Sequence, residues 1–470
     1  MPLPVNLRRH ARLAALSVIA GVLIGLACWA LLGALFLVTR YREHHGNIVW
    51  FLPLAGFAVA LFYQRWGGRA SQGSRLLLEE VHEPAAWVPR RMAPMVAIAT
   101  VISHLFGASV GREGTALQMS GSLTDLVSRT FRLEREDRRV MLIAALGGGF
   151  GAVFGVPWAG MVFGLEVQAV RRIHLRGFMR WGRDRMEHRP KPVPERDRLR
   201  GLGPDAPLGR LLAAVIPVAI ASHLGHLVVN FLGHPQELAP DFDAAFTGGL
   251  FIRSLAIGLA CGAAAVIFVG AVDWIRENLA ERIPWSPWHP ALGGLATLGL
   301  MGMFGREYLG LSTPLIDEAF AGHITSFDTA ALKLLFTVVC LGTGFIGGEV
   351  TPQFVIGSTL GAAVASVLGY DPAIGAILGF AAMFAGAANA PIACTVLAME
   401  TFGADLALPA FVACATSFLV SGRQGMYPAQ LVTDRGRVTR VGDLPPITIK
   451  RRRPPPTTQP DPLHDPMPGA

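Results

Sequence analysis

The sequence predicts an all-α polytopic membrane protein, and three observations predict it. The 470 residues are 52% hydrophobic and only 16% charged, whereas a soluble chain of this size carries about a quarter charged residues. Residues 13–38 run without one charged side chain, longer than the roughly 20 residues a helix needs to cross a bilayer. Comparable apolar runs recur near 49–64, 92–110, 139–170, 211–232, 254–272, 290–304, 334–346 and 352–420. Only helices and closed barrels satisfy their own backbone in lipid, and the alternating strands of a barrel are absent. The first run is too long for a signal peptide, lacks a small-residue cleavage site, and is followed by further spans.

In chain order, residues 1–170 read as a first membrane half with an N-terminal helix, and 171–210 as a basic linker containing proline. Residues 211–430 read as a second membrane half, and 431–470 as a polar, proline-rich tail with too little apolar content to fold. Residues 171–200 hold eleven Lys or Arg against four Asp or Glu, and both chain ends are basic, while the loop 233–247 carries Glu237, Asp241 and Asp243 without a Lys or Arg. This asymmetry assigns both termini and the linker to the cytoplasmic side; the membrane expected is a bacterial-type inner membrane. It also accounts for the net charge of +8 without nucleic acid, which remains a minor alternative. Cys28, Cys261, Cys340, Cys394 and Cys414 all lie in apolar runs. They read as small packing residues, with no disulfide and no metal-type spacing.

The two halves repeat. "GREGTALQMSGS" (111–122) aligns with "GGEVTPQFVIGS" (347–358), placing Glu113 on Glu349 and Thr115 on Thr351 at an offset of 236. Pro157 aligns with Pro391, and Glu166 with Glu400, at an offset of 234. Tandem halves are a mark of secondary transporters; the sequence leaves open whether they are inverted.

Both glycine-flanked glutamates stand at predicted helix starts. The apolar run after Gly114 reaches only Asp125, which predicts a short or broken helix of about 15 Å starting inside the protein. A helix start offers unpaired N–H groups and a partial positive charge, and glycine lets an ion approach the backbone. Pro352 suits the first turn of the second such helix. Two readings of Glu113 stay open on these residues alone. Its carboxylate can occupy an anion site and leave it on protonation, or it can stabilise its own helix start, paired with Arg112. Glu349 carries the same two readings.

"GREGT" followed by Gln118 resembles the Gly-Arg-Glu-Gly-Pro motif of the CLC chloride channel and transporter family. "KLLFTVVCLGTGFIGGEVTP" (333–352) resembles that family's second signature. The resemblance covers about residues 70–430 and implies a homodimer with one pore per subunit, each subunit built of two inverted repeats with many tilted and broken helices. Departures from the chloride-type pattern (Thr115 for proline, and Glu349, Val350 and Thr351 in the second signature) resemble the fluoride/proton antiporter subclass. That likeness implies Glu113 as the gating and proton-transferring glutamate. It implies an anion path lined by Ser74, Gly111, Arg112, Gly114, Thr115, Gly348, Glu349, Val350, Thr351 and Tyr427. The second, cytoplasmic proton glutamate of chloride/proton exchangers is replaced by Val167, as in the fluoride subclass, and Glu166 reads as structural.

Remaining candidates have plainer readings. His223 and His226 share a helix face without a third ligand and read as packing residues; Arg75 reads as an anchor; "EEVHEP" (79–84) fits no zinc spacing. No metal or cofactor is expected. A membrane enzyme acting on lipid phosphates would need a nucleophile–base pair, a metal motif or a nucleotide loop, and none is present. The expected function is fluoride/proton antiport, the alternative a CLC chloride channel or a chloride or nitrate/proton exchanger.

Overall fold

Proline and glycine decide where many of the helices begin and end. The computed structural model describes residues 5–171, 208–233, 247–323, 325–422, 425–434 and 437–440. Among them are sixteen α-helices. The first eight are α1 (Val5–His44), α2 (Leu52–Trp66), α3 (Ser74–His82), α4 (Met92–Leu105), α5 (Glu113–Thr130), α6 (Arg135–Phe154), α7 (Pro157–Glu166) and α8 (Leu208–Phe231). The second eight are α9 (Gly248–Arg282), α10 (Trp288–Phe304), α11 (Thr313–Phe320), α12 (Phe327–Thr343), α13 (Val350–Val367), α14 (Pro372–Ala388), α15 (Pro391–Phe402) and α16 (Ala407–Ser421). Six helical segments are long and apolar enough to cross a membrane, among them most of α1, α8, α9 and α13.

The repeat is visible in the punctuation. α6 ends at Gly155 and α14 at Asn389, both left-handed at φ +77° and +54°, and two residues after each comes the proline that opens the next helix. α7 and α15 then cap each other. The Glu166 carboxylate at the end of α7 accepts the N–H groups of Ile392 (3.1 Å) and Ala393 (2.7 Å) at the start of α15. Glu400 in the last turn of α15 accepts those of Trp158 (3.1 Å) and Ala159 (2.8 Å) at the start of α7. Each glutamate thus satisfies the orphan donors and the dipole of the other repeat's helix, and the two helices must run antiparallel. Phe150 and Phe384, equivalents in the two halves, stack 5.9 Å apart with ring planes within 10°.

The halves are inverted. α1 begins beside the end of α5, where Arg12 donates to the Phe131 carbonyl at 2.6 Å. α9 begins beside the end of α13, with the Arg253 guanidinium 4.3 Å over the Tyr370 ring. α5 and α13 start at one shared point and run to opposite poles.

Three details differ from the sequence reading. α5 does not stop at Asp125 but continues to Thr130, because the Asp125 carboxylate is neutralised in place. Arg138 donates to it at 2.6 and 3.0 Å, and the Val88 N–H at 2.6 Å. The division of the halves falls after α8, not within 171–210: α8 packs on α1, α6 and α7 of the first half, burying Ala214, Val218 and Ala221. Most of the basic linker and the acidic loop lie outside the described residues. The tail call begins too early, since Leu431–Asp434 (β2) pairs with Arg437–Arg440 (β3) and, in parallel, with Ala169–Arg171 (β1). This small sheet follows Tyr427, and it ties the end of the first half's α7 to the end of the second half. The tail beyond residue 440 lies outside the described residues.

Arg138 also donates to Glu80 at 3.1 Å and to the Ala86 carbonyl at 2.9 Å, and stacks 4.7 Å over Trp87. One buried guanidinium therefore holds α3, α5 and α6 together. Arg138→Met is expected to strand two buried carboxylates, costing about 3–5 kcal/mol. Arg75→Met, at an exposed pair with Glu79, is expected to cost less than about 1 kcal/mol. Thermal unfolding in detergent checks both.

Candidate functional site

The site is built where α5 and α13 start head to head. The chain returns to the interior before each helix, and the two returning segments pair. The Gly111 N–H donates to the Gly348 carbonyl and the Gly348 N–H to the Gly111 carbonyl, at 2.5 and 2.6 Å. Only glycine permits this approach. A Cβ on Gly348 would stand 2.7 Å from the backbone nitrogens of both Glu113 and Gly114, and one on Gly111 would stand 2.9 Å from Pro352 Cδ.

The segment before α5 is anchored from α12. Lys333, fully buried, donates to Ser109 Oγ (2.9 Å), Ser312 Oγ (2.9 Å) and the carbonyls of Gly310 (2.8 Å) and Tyr308 (3.2 Å). Thr337, one turn on, bonds Ser109 Oγ at 3.0 Å. The Lys-x-x-x-Thr spacing of α12 thus fixes a residue two positions before Gly111.

Glu113, the first residue of α5, is fully buried. Its carboxylate reaches across to the other repeat. Thr351 Oγ1 donates to Oε1, and the Thr351 N–H donates to Oε2 at 3.1 Å. The Arg112 N–H also donates to Oε2 at 3.1 Å, and the Arg112 guanidinium Nε lies 3.7 Å from Oε1. Every partner is a donor, and two of them belong to the first turn of α13. The carboxylate sits where any small anion would be held, at the positive end of a helix.

The other expected residues divide. Glu349, at the cap position of α13, is partly buried and lies over α5, its Oε2 3.2 Å from where a Cβ on Gly114 would be. Arg112, Gly111, Gly114, Gly348 and Thr351 join it around Glu113. Thr115 does not face the seat: its hydroxyl bonds Thr100 Oγ1 at 2.6 Å on α4. The threonine equivalent to Thr351 is turned away, so only one of the two helix starts has a hydroxyl at the seat. Val350 is fully buried in the main apolar core. Ser74 opens α3, partly buried; the neighbouring Gly73 lies against Gln118 of α5, and among the described residues Ser74 is not bonded to Glu113. Tyr427 is buried with its ring 6.4 Å from Phe163, and its hydroxyl has no hydrogen-bond partner among the described residues.

One bordering residue escaped the motif reading. Gln353 lies one turn after Glu349 on α13 and is fully buried; the i, i+4 spacing was visible, but a lone glutamine in an apolar run carries no signal by itself. His223, expected to pack, sets its ring edge-on to Trp158 at 4.6 Å.

The family profile of voltage-gated chloride channels matches residues 55–181 and 211–422. The chain is 39% identical over 433 residues to the chloride/fluoride channel protein of Pseudomonas syringae pv. tomato, covering 90% of this chain and 87% of that one. It is 27% identical over 474 residues to the H(+)/Cl(-) exchange transporter of Vibrio cholerae, covering 92% of each. Among solved structures, that of a CLC-type fluoride/proton antiporter matches with a TM-score of 0.79 at 26% identity, covering 90% of this chain and 98% of that one. A slow cyanobacterial Cl-/H+ antiporter shares the fold at a TM-score of 0.68 and 19% identity. Matched along most of its length and built of two inverted halves around paired helix starts, the chain belongs to the voltage-gated chloride channel family, the CLC proteins.

Proposed function

We propose that this protein is a fluoride/proton antiporter that exports cytoplasmic fluoride, driven by protons moving inward. The observation that carries the reading is the Glu113 carboxylate held only by donors, the Thr351 N–H and hydroxyl at the start of α13 and the Arg112 N–H before α5. Ionised, it fills the seat and excludes an anion. Protonated, it loses the attraction of the helix end and leaves, and a fluoride ion takes the Thr351 N–H and hydroxyl in its place. Proton and anion then alternate at one position, which is the physical basis of exchange. Fluoride is small and a strong acceptor, so a seat with a hydroxyl beside backbone N–H groups suits it. Glu349, when protonated, adds a further donor, and Tyr427 another.

Two features favour fluoride over chloride coupling. Val167 stands where chloride/proton exchangers keep their cytoplasmic glutamate, and Glu349 is a second titratable group beside the gate. The matched structure is that of a fluoride/proton antiporter, which supports the same reading, and the Pseudomonas relative is named for both chloride and fluoride. In the assembly proposed here the protein is a homodimer in a bacterial inner membrane, with both termini cytoplasmic.

Purified protein in liposomes tests this directly. Fluoride efflux is expected to exceed chloride efflux and to drive proton uptake, read together with ion electrodes and a pH probe. Equal rates for the two anions would instead favour a chloride channel or a chloride/proton exchanger.

A further inference from the structure

The geometry points to Gln353 as an anion ligand of the transport path, acting beside Tyr427 on the side of α13 that carries Glu349. Gln353 has none of its surface exposed, and it is surrounded along α13 by Val350, Phe354, Val355 and Ile356, all buried. A leucine or methionine would fill such a place without a polar cost. The carboxamide instead spends one N–H on the Met426 sulfur at 3.4 Å, a weak acceptor. Its Oε1 has no partner among the described residues. With the other amide hydrogen also uncommitted, a donor and an acceptor stand free in a fully buried position, which is costly unless a ligand uses them.

Two contacts fix where that free capacity lies. Gln353 follows Glu349 by four residues, so the two share one face of the helix, and the Gln353 N–H donates to the Glu349 carbonyl at 3.4 Å. Met426 is the chain neighbour of Tyr427, whose buried hydroxyl is likewise unpartnered. The amide and the phenol are not bonded to each other. The second amide N–H of Gln353 and the Tyr427 hydroxyl, donors on adjoining segments, fit a third party that accepts from both, namely a small desolvated anion. An amide cannot ionise, so it cannot carry a proton by itself. It can accept from a protonated Glu349 and donate to an anion, tying the occupancy of this position to that carboxyl.

This assignment rests on the anion-transport reading above and deepens it. It is tested by fluoride and chloride efflux from liposomes over a range of internal concentrations, for the wild-type chain and for Gln353→Leu. The expected result is a rise of about tenfold or more in the half-saturating anion concentration, the loss of one hydrogen bond to a charge, with the saturating rate nearly kept. A purely structural glutamine would lower the rate at all concentrations and leave half-saturation unchanged, and that result overturns the proposal. Gln353→Met, which keeps the unbranched stem, gives the same readout if the leucine variant fails to fold. A wild-type chain that moves chloride but not fluoride overturns the fluoride reading alone, and the comparison is then read on chloride.

Discussion

Glu113→Gln is expected to abolish proton movement while leaving a passive anion flux. The reason lies in the seat. Both carboxylate oxygens of Glu113 face donors: the Thr351 hydroxyl and N–H, and the Arg112 N–H. A carboxamide has one acceptor and one donor end, so one end must meet an N–H or O–H head-on. It also lacks the charge that the start of α13 attracts. The glutamine side chain therefore leaves the seat without a proton, and the anion passes without exchange. In liposomes the proton-to-anion ratio should fall to the background leak, while fluoride efflux persists. Proton uptake unchanged from wild type would contradict the gating role. Thr351→Val probes the other side of the same contact: fluoride flux falls and proton coupling weakens together.

Gly348→Ala is expected to cost transport on the order of 100-fold. The added methyl would stand 2.7 Å from two backbone nitrogens and 2.9 Å from Glu113 Oε2, and neither helix start can yield, since each is the first turn of a buried 18-residue helix. Overpacking of this kind costs about 1–3 kcal/mol. The larger loss comes from displacing the seat, because a shift near 1 Å at a functional site costs about two orders of magnitude. Gly299→Ala is the control. It lies in α10 with nothing within 4 Å of its Cβ position, and alanine there should leave flux unchanged and improve helix stability by up to about 1 kcal/mol. Equal flux from Gly348→Ala and wild type would show that the close pairing of Gly111 and Gly348 is dispensable.

Much of the site was legible because it is local. A glutamate between glycines at the edge of an apolar run marks a helix start wherever it occurs, and Glu113 and Glu349 both stand at one. What failed were inferences that needed a partner from elsewhere in the chain. Asp125 looked like the end of α5 because an unpaired carboxylate cannot continue into an apolar interior; Arg138 and Val88 pair it. Thr115 looked like a ligand because it aligns with Thr351 in the repeat; Thr100 on α4 holds its hydroxyl instead. Glu166 and Glu400 were paired by offset alone, and their exchange of helix caps became visible only with the fold.

By itself the sequence determined that the chain is a helical membrane protein of two similar halves, with an acidic side chain at each of two glycine-lined helix starts. Periodicity, composition and turn residues act within a few positions along the chain, and they suffice for that much. The tertiary structure alone decided that the halves are inverted, that α8 belongs to the first of them, and that the Glu113 carboxylate lies on the helix of the other half. Those facts depend on which donors and charges meet across more than 200 residues of chain, where each buried polar group takes whichever partner the packing brings within reach.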